Sequence, residues 1–149
     1  MANIGAIEGV RQAFHRYALG FDEDDFELFE DCFTEDAVFS TATVGPIQGR
    51  ADIRAYFKQR RDGRRSRGEQ SRHLITNVAL LEEDATSVLA VAYVTAVVAV
   101  RGAQPSMHFG WYRDRLVSDG HVWRIREHYI HADGADHDEL IRARGGTEW

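Results

Sequence analysis

Between Val88 and Val100 every residue is apolar except Thr95. Wound as a helix, this stretch would span only about 20 Å, short of a bilayer core of about 30 Å. Its length and its recurring valines predict instead a strand over Ser87 to Val100, apolar on both alternating faces. Such a strand limits what the rest of the chain can do, because both of its faces have to be covered. One face is expected to take the chain's own helices. The other is expected to take a second subunit.

The segments on either side supply the rest of the sheet. Arg72 to Leu81, Met107 to Val117 and His121 to His131 are β-rich, and Glu82-Glu83-Asp84, Gly102-Ala103-Gln104-Pro105 and Ser118-Asp119-Gly120 between them are turn sequences. Connections this short make antiparallel neighbours. In the third of these strands, alternation puts Ser106, His108, Gly110 and Tyr112 on one face, with Met107, Phe109 and Trp111 on the other. In the fourth it sets Trp123 and Ile125 against Arg124, Arg126 and His128.

Ahead of the sheet the spacing becomes helical. Ile7, Val10, Phe14, Tyr17, Ala18 and Phe21 form one stripe of a helix that starts near Ile4, with Asn3 as its N-cap. After Gly20 comes the acidic cluster Asp22-Glu23-Asp24-Asp25, which suits the start of a second, short helix carrying Phe26, Leu28, Phe29, Cys32 and Phe33. Thr34-Glu35-Asp36 reads as a turn, Ala37 to Thr41 as a short strand, Val44 to Arg50 as a loop, and Asp52 to Phe57 as a third helix. Helices first and an antiparallel sheet after give an α+β class, as one domain over 1–149 with 133–149 a tail or flap.

The bulk properties remove several functions. A net charge of −6 gives no general attraction to nucleic acid or to anionic membrane. Lys58 to Arg67 is strongly basic, but no aromatic is interleaved to stack a base, so it reads as a solvated helix end. The single cysteine, Cys32, allows neither an internal disulfide nor a multi-cysteine metal site. Met1 to Val10 lacks the pattern of a secretory signal, so the expected compartment is cytoplasmic. There is no Gly-x-Ser-x-Gly and no phosphate-cradling loop. His128, His131, Asp133, Asp136 and His137 are metal-ligand types, yet residues three apart on a strand face opposite ways, and no metal is expected.

What remains is acid–base chemistry. His73 opens the β-prone run Leu74-Ile75-Thr76-Asn77-Val78, which would hold its ring on a strand. Asp22 leaves a helix end that also carries Tyr17 and Phe21. A carboxylate that accepts from Nδ1 would fix the tautomer and present Nε2 as a base.

One set of residues carries a resemblance: Tyr17-Ala18, Phe21-Asp22, Asp25-Phe26, Leu28-Phe29, Phe33-Thr34-Glu35-Asp36-Ala37-Val38-Phe39, Gly49-Arg50-Ala51-Asp52-Ile53, Arg72 to Val78, Gly110-Trp111-Tyr112 and Trp123-Arg124-Ile125. Over roughly residues 5 to 131 the chain resembles the SnoaL-like branch of the nuclear-transport-factor-2-like superfamily. The resemblance implies a cone-shaped α+β barrel, a cystatin-like roll, in which a curved mixed sheet is wrapped by about three helices around an apolar pocket, assembled as a homodimer or homotrimer through the sheet. Within the branch the chain is most similar to scytalone dehydratase and hexachlorocyclohexane dehydrochlorinase, whose His–Asp pair matches His73 and Asp22. It implies His108 as a polar pocket residue, beside Tyr17, Phe21, Phe39 and Trp111 or its neighbours as walls. The dehydratase's helix tyrosine is Phe21 here and its strand tyrosine falls at Thr41, so that way of polarising a carbonyl is not reproduced. The expected activity is cofactor-independent elimination from a small apolar cyclic substrate. Isomerisation or polyketide cyclisation in the same pocket is the alternative, as is a non-catalytic binding module like the small subunit of ring-hydroxylating dioxygenases.

Overall fold

A computed structural model describes residues 4–134. The expected cap Asn3, and Asp136 and His137 with most of the expected tail, lie outside the described residues. Three helices, α1 (Ile4–Asp22), α2 (Phe26–Asp31) and α3 (Arg50–Ser66), accompany six strands: β1 (Phe33–Thr41), β2 (Ile47–Gln48), β3 (Glu69–Glu83), β4 (Ser87–Val100), β5 (Ser106–Ser118) and β6 (Trp123–Ala132).

The strands form one mixed sheet in the order β2-β1-β6-β5-β4-β3, with β1 parallel to β6 and every other pairing antiparallel. It curls around the helices without closing on itself, an α+β arrangement of the cystatin-like kind. Three elements differ from the sequence reading. The expected turn Thr34–Asp36 is a bulged part of β1, where the register against β6 slips between Phe33 and Val38. The expected loop after Val44 contributes the short strand β2, which pairs with Val38 and Phe39. α3 runs beyond Phe57 through the basic stretch to Ser66.

β4 lies inside the sheet between β3 and β5, and its face toward the helices presents Val88, Ala90, Ala92 and Val94, all buried. Against it pack Phe14, Tyr17, Phe29, Phe33 and Phe39, each almost fully buried. Burying one such phenylalanine side chain contributes roughly 1.5–3 kcal/mol, so the aromatic stripe of α1 and its partners is what fixes the helices on the sheet. Asp25 caps α2 by accepting from the Leu28 N–H at 3.0 Å, as its sequence position suggests. Cys32 packs at the end of this helix, and burial pushes its thiol up to about 12.

Two glycines set close approaches. A methyl group at Gly20 would lie 2.6 Å from the Phe29 backbone nitrogen, so α1 and α2 can meet only there without a side chain. At Gly110 it would lie 2.0 Å from the His131 carbonyl oxygen. Gly110 therefore serves the tight β5–β6 ladder, and the space it leaves is filled by backbone.

Candidate active site

Asp22 is the last residue of α1, where a carboxylate opposes the negative end of the helix dipole. Its position is held by what β3 offers. The His73 backbone N–H donates to Oδ2 at 2.7 Å, and His73 Nδ1 meets Oδ1 at 2.7 Å. The open carbonyls of the helix end are capped from two sides: Gln70 donates to the Asp22 carbonyl at 2.8 Å and Arg64 to that of Phe21 at 3.2 Å. A carboxylate that accepts from the ring would place the proton on Nδ1 and turn Nε2 away from Asp22. Both side chains are largely buried, at 7% and 12% exposure for Asp22 and His73.

Phe21 sets the orientation of the imidazole from another side, its ring edge-on to His73 at 4.8 Å and 83°. Behind it the Arg64 guanidinium sits 4.0 Å from the Phe21 ring centre and pairs with Asp24 at 2.9 Å, which Arg65 also reaches at 2.9 Å. The end of the basic run is thus partly inside the fold, bracing the corner that carries Asp22, and is not simply a solvated helix end. Asp24 has φ of 58°, a left-handed turn conformation that aspartate tolerates better than most residues.

The pleat carries the site further across the sheet. His73 is in register with Ala96, and Ala96 with His108, so both histidines leave the same face two strands apart, about 10 Å between backbones. His108 is exposed, with Nε2 3.2 Å from Ser106 Oγ. Tyr17 and Phe39 are buried deeper, around a third imidazole: Tyr17 lies 4.8 Å from the His128 ring and Phe39 5.5 Å.

The sequence matches the SnoaL-like domain over residues 3–129. The chain belongs to the SnoaL-like domain family. Solved structures agree with it over most of their length. Aln2 from a Streptomyces species is 28% identical, with 97% of this chain and 99% of that chain covered and a TM-score of 0.78. Rv3472 from Mycobacterium tuberculosis, a protein of unknown function, is 25% identical over 95% of this chain and 85% of its own, at 0.74. A putative scytalone dehydratase from Novosphingobium aromaticivorans is 17% identical over 87% and 85%, at 0.76, a likeness of fold. No curated protein matches the sequence.

Within this SnoaL-like fold, Trp111 lies on the face that alternation gave it and not in the wall that the resemblance implied. Tyr112 points inward, so Trp111 leaves the opposite face of β5, where it stacks on His131 at 4.6 Å and 7°. It is a feature of the outer sheet and does not wall the interior. His128 is the reverse case. Simple alternation sets it apart from Ile125, but the β5–β6 register slips between Arg115 and Leu116, and the extra residue turns His128 inward. There Nδ1 meets Asp114 Oδ2 at 2.6 Å, with both side chains at 0% exposure. Burial pushes the Asp114 carboxyl above its ordinary range, against the pull of His128.

Sequence reasoning missed this second pair. Half of it was within reach, because the inward series His108, Gly110, Tyr112 continues to Asp114 two residues on. Its partner depended on the bulge. His131 sits on the outer face, so it and His128 do not share one side of the strand, and among the described residues no group of three or more ligand-type side chains could hold a metal. No described helix is long and apolar enough to cross a membrane.

Proposed function

We propose that this SnoaL-like protein is a cofactor-independent lyase that removes a proton and a leaving group from a small, largely apolar cyclic substrate. The observation that supports it most is the double hydrogen bond from His73 to Asp22, which fixes one tautomer and leaves Nε2 as a base on a rigid strand. Nε2 takes a proton from a ring carbon and the C–H electron pair becomes the new double bond. The β-hydroxyl leaves with its own bonding pair and recovers that proton from the imidazolium as water. Asp22 stabilises the imidazolium between the two steps, as a buried carboxylate does in a catalytic triad. Tyr17, Phe21 and Phe39 supply apolar surface, and His108, on the same sheet face, supplies a polar contact for the ring substituent.

The outer face of the sheet supports assembly with further copies. Leu74, Tyr93, Met107 and Phe109 leave it together, each more than half exposed. A contiguous apolar face of this kind is an association surface, and a homodimer or homotrimer would cover it.

The test is a panel of β-hydroxy and β-halo cyclic ketones, 3-hydroxycyclohexanone first, followed by NMR in D₂O and by the ultraviolet absorbance of the enone. Enone formation that falls by about two orders of magnitude or more in His73→Ala and in Asp22→Asn is the expected outcome. Equal turnover in wild type and His73→Ala would remove the base. Deuterium entering the ring without loss of the substituent would move the assignment to isomerisation or cyclisation.

A further inference from the structure

The Asp22–His73 pair sits at the end of α1, and a guanidinium from the last turn of α3 closes that end. Arg64 does three things there at once. Its Nη2 donates to the Phe21 carbonyl at 3.2 Å and to Asp24 Oδ1 at 2.9 Å, and its guanidinium carbon lies 4.0 Å from the centre of the Phe21 ring. The same ring stands edge-on to the His73 imidazole at 4.8 Å. Arg64 therefore grips both the main chain and the side chain of the residue that precedes Asp22 in sequence and flanks His73 in space.

Packing alone is a weak reason for a cation here. The Arg64 side chain is only 12% exposed, its Nη1 is buried with no hydrogen-bond partner among the described residues, and the Asp24 carboxylate it pairs with is shared with Arg65. Burial pulls the guanidinium below its ordinary value, and Asp24 pulls it back. A methionine would fill the same corner without burying an unpaired donor. What an apolar chain lacks is the planar fork, which bonds a carbonyl and a carboxylate while it lies on an aromatic face.

The Phe21 ring needs such a hold. Phe57 meets it edge-on at 5.2 Å, but it also borders a cavity of about 10 Å³ that Phe26, Phe29, Arg61 and Arg64 help to line. Without Arg64 the ring gains room to turn from the imidazole, and the last turn of α1 loses one of its caps. Both movements reach the pair at once, one through the ring and one through the main chain.

We propose that Arg64 is a positioning residue, which acts through Phe21 to hold the His73 imidazole and the Asp22 carboxylate in register with each other. The inference rests on the proposed function for its effect on turnover, and not for its effect on the pair itself.

The experiment reads the pair without substrate. In ¹⁵N-histidine-labelled wild type, the His73 Nδ1–H held by Asp22 is expected as a slowly exchanging resonance. Its exchange with solvent becomes about tenfold faster in Arg64→Met, well below that variant's unfolding temperature. Arg65→Met removes an equal charge from the same carboxylate and leaves the exchange as in wild type. A brace with no positioning role would lower thermal stability and leave the rate where it is. Unchanged exchange in Arg64→Met, an equal effect in Arg65→Met, or no such resonance in wild type each overturn the role. If Arg64→Met does not fold, Arg64→Lys, which keeps the charge and loses the fork, has to show the same acceleration. With 3-hydroxycyclohexanone, Arg64→Met lowers kcat about tenfold at unchanged KM. Faster exchange in Arg64→Met with no enone from wild type would remove the lyase and keep the positioning role, whereas enone formed at equal kcat in both would remove the positioning role and keep the lyase.

Discussion

His73 is bound to Asp22 by two bonds of 2.7 Å, one through its main chain and one through its ring. The carboxylate is therefore both a clip joining α1 to β3 and the orienter of the imidazole, and different substitutions separate the two jobs. Asp22→Asn keeps an oxygen for the backbone N–H but turns an amide NH₂ toward Nδ1, which forces the other tautomer and makes Nε2 a donor. Turnover should fall by about 10²–10⁴-fold with little loss of thermal stability. Asp22→Ala should lose activity to the same extent and also destabilise by about 1–3 kcal/mol, because the His73 N–H is left unpaired. Steady-state kinetics and denaturant unfolding on the two variants measure the split.

Asn77 has a φ of 54° in the middle of β3, where the pairing with β4 slips between Thr76 and Ala79. The bulge bends the strand that carries His73. Asn77→Ala should cost about 1–2 kcal/mol in urea unfolding, since a Cβ opposes the left-handed conformation without a compensating side-chain amide. Asn77→Gly should cost less than Asn77→Ala, and the reverse order would mean that the amide, not the backbone, holds the bulge.

The β5–β6 turn contains an acid-sensitive element. The Asp119 side chain accepts from the Val122 and His121 N–H groups at 2.9 Å each, and from Arg124 at 3.0 Å. These donors, Val122 first, pull its carboxyl down to about 2. A lowered carboxyl favours the folded state above its unfolded value near 4, and that contribution is lost as pH falls toward about 2. Thermal unfolding across this window should show wild type losing stability more steeply than Asp119→Ala, which is the less stable of the two at pH 7.

The exposed apolar row on the outer sheet gives a test of assembly. Tyr93→Asp and Phe109→Asp each place a charge on that face. Sedimentation should find wild type as a dimer or trimer and both variants as monomers with the fold intact. An oligomer unaltered by both substitutions would place the interface elsewhere.

Much of this architecture was legible in the chain. The stripe from Ile7 to Phe21, the cap at Asp25 and the turns flanking Ser87 to Val100 each depend on neighbours a few residues away, and each forms close to where the sequence puts it. The meeting of Asp22 with His73 was available only through resemblance to a family, since a helix end and a strand 51 residues apart share no local signal.

The sequence by itself determined the periodicities, because they are set by the fixed geometry of helix and pleat: three helices, a greasy central strand, and inward-facing Tyr112 and, by extension, Asp114. Tertiary structure alone decided what depends on register. One extra residue in β6 turned His128 into the core beside Asp114. A close approach of two backbones gave Gly110 its role. Register is a property of two strands at once, and neither strand encodes it alone.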